Sequence, residues 1–269
     1  MALGFLYHTA PGRFILKLLV KPGLSKVCGK FLDTKASKVF IKPFIKNNHI
    51  DMSEYIDEDY KCFNDCFCRH IKPECRPVDM NPNNLVSPCD GLLSAYKITD
   101  GLVLPVKQSK YSIMGLLRNQ ELAREFEGGS CLVFRLCVNH YHRYSYMDDG
   151  TKGENVFIPG KLHTVRPIAL ESFPVFIENS REYTVMNTDN FGKTVQVEVG
   201  AMLVGKISNN MGAGAIKRGQ EKGKFLYGGS TIILLVKKDA AIINEEYFEA
   251  TAREEETPIK MGSVIGRKA

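Results

Sequence analysis

The sequence predicts an α+β protein: a mostly antiparallel β-sheet body with a helical N-terminal region. Two patterns carry this expectation. The first fifty residues mix aliphatic and aromatic side chains with lysines at helical spacing. Beyond residue 80, alternating or β-branched apolar runs follow one another between turn residues. With 269 residues and 44% hydrophobic composition, the chain can bury one large core, alone or with a smaller element. The expected division is a basic, largely helical region over 1–80 and a β-rich domain over 81–269.

Charge is unevenly placed along the chain. Residues 1–50 hold nine Lys/Arg and one acid, a balance of +8 against +6 for the whole, so the remainder carries −2. The segments "RFILKLLVK" (13–21) and "SKVFIKPFIK" (37–46) interleave these cations with Phe, Ile, Leu and Val. Lys38, Lys42 and Lys46 share one stripe if helical, and Pro43 argues against a single uninterrupted helix. Two readings stand: a surface lying on an anionic membrane, or amphipathic helices packed on the core with solvated lysines. No apolar run reaches the roughly 20 residues of a membrane span. The N-terminus is a poor signal peptide. A peripheral membrane protein on the cytosolic face is therefore expected, with no nucleic-acid partner.

Residues 51–80 pass from an acidic turn to "KPECRPVDMNPNN", whose prolines predict loop or extended chain. Four of the eight cysteines (Cys62, Cys66, Cys68, Cys75) cluster here with His70. Their spacing matches no paired Cys-x-x-Cys zinc pattern, so no metal is expected, and buried small apolar residues is the favoured reading. Strands are predicted within 91–107, 130–146, 194–209 and 224–238, with a hairpin turn at Asp100-Gly101 and a bend or bulge at Gly200. One helix is predicted over 115–128.

Three places concentrate reactive groups among apolar strands: "LVSPCDG" (85–91), "NHYHRYSY" (139–146) and "YGGST" (227–231). Taken singly, an Asp-Gly is usually a turn, a strand histidine a satisfied core residue, and a Gly-Ser a loop. Together they resemble a known family. "FLYGGSTIILLV" is similar to the self-cleavage segment of phosphatidylserine decarboxylase proenzymes. "YKCFNDCFCRHIKPECRPVD", "SPCDG", "YHRY", "GKLHTVRP" and "VEVGAMLVGKI" resemble further motifs of that family, in the family's order, from about residue 36 to 236. Two departures stand out: His140 where the family often has Asp, and Ser145 where it often has a second histidine.

The resemblance implies a pyruvoyl-dependent carboxy-lyase that makes its own cofactor. Ser230 would attack the Gly229 carbonyl, with His142 as base and Asp90 orienting and charging it. Gly228 and Gly229 carry no Cβ to block the crowded ring that this attack closes. An N→O acyl shift and β-elimination would part Gly229 from Ser230 and leave a pyruvoyl group at residue 230. The implied assembly is a heterodimer of 1–229 and 230–269, with a dimer of such heterodimers as one further arrangement. In turnover the pyruvoyl ketone would form a Schiff base with phosphatidylserine, giving phosphatidylethanolamine after loss of carbon dioxide. Two alternatives are weighed beside it: a pyruvoyl decarboxylase of a soluble amino acid, and a non-catalytic membrane-binding relative. Intact Asp90, His142 and Ser230 count against the second.

Overall fold

The computed structural model describes residues 2–99, 103–106, 109–170, 173–201, 206–228 and 230–269. Helices come first in the chain, and strands begin at Asn84. The helix Ala10–Leu19 starts at Thr9, whose side chain accepts the Gly12 N–H at 3.0 Å. Gly12 is needed there, because a Cβ would sit 1.9 Å from the Phe5 carbonyl oxygen of the preceding helix. Pro22 opens the helix Pro22–Leu32, where its missing N–H costs nothing. Pro43 has the effect expected of it. A 3₁₀ turn over Lys35–Phe40 gives way to a separate helix Ile41–Asn47, which carries Pro43 in its first turn.

The body is an eight-stranded antiparallel sheet. Its order is Gly214–Ile216, Gly150–Ile158, Arg181–Thr188, Gly192–Val199, Ser230–Val236, Ser130–Leu136, Gly91–Lys97, Thr257–Ile259. The run of β-branched and aliphatic residues after Ser230 becomes the central strand, buried along its whole length. It pairs Thr231 with both Val199 and Arg135, and Ser230 with Leu136. Each fully buried Ile or Leu here contributes roughly 1.5–3 kcal/mol by leaving water. A small sheet of Ile207–Asn209, Glu221–Phe225 and Arg143–Ser145 is anchored to the large one by a buried ion pair. In it Lys222 Nζ lies 2.8 Å from Glu198 Oε1.

Three expectations change in detail. The helix over 115–128 is two short helices, Ile113–Leu117 and Gln120–Arg124. Arg118 between them adopts φ 49, and the Asn119 side chain caps Leu122 N–H instead of continuing the first helix. The strand over 130–146 breaks into Ser130–Leu136 and Arg143–Ser145, which belong to different sheets. Asp100 and Gly101 lie outside the described residues. The flanking strands do not pair with each other: Gly91–Lys97 joins the large sheet, whereas Val103–Val106 pairs with Ser109–Ser112.

Candidate active site

Sheet register gathers the three reactive segments at one end. Leu92 pairs with Arg135, and Arg135 with Thr231. Asp90 therefore leaves the sheet at the same end at which Ser230 enters it, with one strand between them. That intervening strand ends at Leu136, and the chain then turns back through residues 137–142 to deliver His142. Adjacent antiparallel strands lie about 4.8 Å apart, so residues about 50 and 90 positions apart in sequence become neighbours in space.

Ser230 is fully buried, and its Oγ has no hydrogen-bond partner among the described residues. His142 is also fully buried, and its Nε2 is likewise without a hydrogen bond. Buried polar groups are nearly always paired, so these two orphans, with Thr231 Oγ1 beside Ser230, stand out at the mouth of the strand and in the loop before Arg143–Ser145. His142 Nδ1 lies 2.9 Å from the His140 carbonyl oxygen, an acceptor, so the ring proton is on Nδ1 and Nε2 is left with its lone pair. The Phe67 ring packs on the imidazole at 4.2 Å between centroids. Burial pushes the His142 pKa down to about 3, and the backbone at His140 and Gly228 only partly offsets this. The side chain is a neutral base across the working pH range.

Residues 225–227 are held from the helical side. Asn64 Oδ1 accepts the Tyr227 N–H at 3.2 Å. The Cys68 thiol donates to the Phe225 carbonyl at 3.3 Å, and Arg143 Nε donates to the Cys68 carbonyl at 2.7 Å. Gly228 follows with φ 125, a conformation that L side chains rarely adopt. Gly229 itself lies outside the described residues. Burial pushes the Cys66 thiol up to about 11 and the Cys68 thiol up to about 12, so both stay protonated. Cys66 and Cys68 sit in an apolar cluster with Phe44, Phe63 and Phe67.

Asp90 is bound differently from the expectation. Its Oδ1 accepts from Arg76 Nε at 2.8 Å and from the Met261 N–H at 2.9 Å. Its Oδ2 accepts from Arg76 Nη2 at 2.6 Å. The hydrogen bond that would orient His142 runs to the His140 carbonyl instead, and a bidentate Arg76–Asp90 pair stands where a carboxylate–imidazole contact was expected. Burial works against the Arg76 charge, but Asp90 and Glu54 outweigh it and hold its pKa above the ordinary value. Ser145, in place of the second histidine, is buried with its N–H on the Pro88 carbonyl at 2.8 Å. Arg76 and the His140 carbonyl were not picked out from the sequence. Arg76 stands in the quoted "KPECRPVD" segment, which offered a signal, but no side-chain pattern marks a backbone carbonyl.

An apolar groove of about 540 Å³ lies between the N-terminal helices and residue 227. Phe31, Phe40, Pro43, Phe44, Phe63 and Tyr227, the residue before Gly228, line it. Among the described residues no helix is long and apolar enough to cross a membrane.

Comparison with known proteins gives one answer. The phosphatidylserine decarboxylase family model matches residues 63–267. A protein named phosphatidylserine decarboxylase proenzyme 2 from Clostridium acetobutylicum is 45% identical over 98% of this chain and 91% of its own. Relatives named phosphatidylserine decarboxylase proenzyme are 43% identical in Clostridium perfringens (97% and 91% covered) and 41% in Ruminiclostridium cellulolyticum (98% and 90% covered).

Proposed function

The chain belongs to the phosphatidylserine decarboxylase family, and from that premise we propose that it cuts itself between Gly229 and Ser230 to make its own pyruvoyl group. The reaction is the removal of carbon dioxide from phosphatidylserine, which yields phosphatidylethanolamine. The observation that carries the proposal is the pair of buried, unpartnered atoms, Ser230 Oγ at the mouth of the strand and His142 Nε2 in the loop before Arg143–Ser145.

His142 is set up as the general base. Its Nδ1–H is held by the His140 carbonyl, so Nε2 takes the Ser230 Oγ proton. Oγ then bonds to the Gly229 carbonyl carbon, and the Gly229–Ser230 C–N bond breaks as an ester forms. Loss of the Ser230 Cα proton expels Gly229 as the carboxylate end of chain 1–229 by cleavage of the Cβ–O bond. Residue 230 is left as dehydroalanine, which takes up water and releases ammonia to become pyruvoyl. The residues present fit this precursor role: Ser230 begins a strand locked on both sides, and Gly228 has φ 125, a conformation open to glycine and rare for L side chains. Chain 230–269 stays bound to 1–229 through those same strand pairings. A pyruvoyl group at residue 230, held at the mouth of the strand Thr231–Val236, would supply a carbonyl for covalent attachment of the substrate amine and an electron sink for decarboxylation.

Asp90 acts at one remove. Through Arg76 and the Met261 N–H it fixes the loop leading into Gly91–Lys97, and its charge lies beside the His140 segment that orients His142. The groove that Tyr227 lines suits an acyl chain of the substrate. Residues 1–50 suit peripheral attachment to an anionic membrane, because Phe14, Leu18, Val27 and Phe31 are exposed among the lysines.

Intact mass and product analysis test the proposal together. The expected result is two chains, the smaller resistant to N-terminal sequencing, with carbon dioxide released from phosphatidylserine and not from free serine. A single 269-residue chain that still decarboxylates phosphatidylserine would overturn it.

A further inference from the structure

A second cavity, of about 680 Å³, lies on the other side of the N-terminal helices. Arg13, Lys17 and Lys21 line it from Ala10–Leu19 and the link that follows, facing Lys161, His163 and Phe173. Arg13 and Lys17 are four residues apart and so share a helix face. Leu16 and Val20 are buried beneath them and give the cavity an apolar wall. Among the described residues, Arg13, Lys17 and Lys21 have no ion-pair partner. Glu178 is shared by Lys161 at 2.9 Å and His163 Nε2 at 3.5 Å. His163 is 3% exposed, and its Nε2 makes no hydrogen bond among the described residues. Among the described residues the cavity therefore joins an excess of cations to an apolar wall, in the basic N-terminal region. Its back is tied to the sheet, because Asn179 bonds the His163 backbone on one side and the Gly200 carbonyl on the other.

We propose that this cavity is a second lipid site, holding the phosphodiester headgroup of a phospholipid of net negative charge beside, and apart from, the lipid undergoing reaction. The cations take the phosphate and Phe173, Leu16 and Val20 take the root of the acyl chains. This rests on the reading that residues 1–50 lie against the membrane. A net-neutral lipid, including the phosphatidylethanolamine product, gains less from the excess charge and is held more weakly.

The test uses the full chain labelled at its six histidines, with dihexanoyl phosphatidylglycerol below its micelle concentration as the probe. The His163 ring resonances should shift saturably with phosphatidylglycerol, and far less with dihexanoyl phosphatidylcholine or inorganic phosphate. Lys17→Gln with Lys21→Gln should weaken binding about 25-fold, about fivefold for each charge removed. Lys30→Gln with Lys42→Gln, an equal charge loss on the same region but outside the cavity, should leave it unchanged. Equal weakening by both pairs means a diffuse charge effect and overturns the site. Equal affinity for phosphatidylcholine removes the charge selectivity, and equal affinity for free phosphate makes it a site for small anions; either overturns the proposal. Vesicle flotation and decarboxylation of phosphatidylserine by the same variants report separately on membrane attachment and on the reaction.

Discussion

His142 Nδ1 sits 2.9 Å from the carbonyl oxygen of His140, two residues earlier in the same loop. A backbone acceptor thus fixes the tautomer of His142, and the buried Nε2 is left as a lone pair. His142→Ala should therefore slow self-cleavage by about 10²–10⁴-fold, the usual worth of a positioned general base. Gel densitometry of freshly translated chain checks this, and cleavage at the wild-type rate would remove His142 from the mechanism.

Ser230→Ala removes the proposed attacking oxygen without adding volume to the fully buried strand mouth. The expected product is one uncleaved chain with the fold retained, read by intact mass and circular dichroism. Fragments of the wild-type lengths would show that another residue attacks.

The pH dependence follows from the depressed pKa of His142, about 3 when folded against an ordinary 6.5. The folded base stays neutral as pH falls from 8 to 5.5, so self-cleavage should show no loss of rate from this group over that range. Stability behaves differently. The unfolded chain takes up a proton below 6.5 and the folded chain does not, so the stability is fully present above 6.5 and is lost as pH falls toward 3. Between pH 7 and 5 the loss from this residue is about 2 kcal/mol. Urea unfolding of Ser230→Ala, with and without His142→Gln, isolates it: the second variant should fall less steeply with acid.

Arg76 and Asp90 form a pair with side chains 5% and 8% exposed. Removing one partner strands the other, at a cost of about 3–5 kcal/mol for a buried pair. If Asp90 acts through this pair, Arg76→Gln should slow self-cleavage about as much as Asp90→Ala, and the double variant should be little worse than either. Additive losses in the double-mutant cycle would give Asp90 a role of its own toward His142.

Membrane attachment should weaken as salt rises, because screening shortens the reach of the lysines, and an apolar remainder should persist. Flotation with anionic vesicles at two salt concentrations measures both parts. Protein left at the bottom at low salt contradicts the peripheral reading.

The sequence by itself determined the sheet-rich class, the central strand after Ser230, the break at Pro43 and the three segments that meet at the site. Those features are local: a β-branched run favours a strand and a proline fixes its own φ wherever they stand. It also carried the family, since the ordered motifs from "SKVF" to "LLV" survive without knowledge of contacts. Tertiary structure alone decided which partners those residues take. The pairing of Asp90 with Arg76 and the packing of the Phe67 ring against the His142 imidazole join groups from different elements. The same is true of the split of 130–146 between two sheets and of 115–128 into two helices. Such choices rest on competition among donors and acceptors brought together only when the strands align. A burial energy spread over the whole sheet settles that alignment, and no single stretch of sequence encodes it.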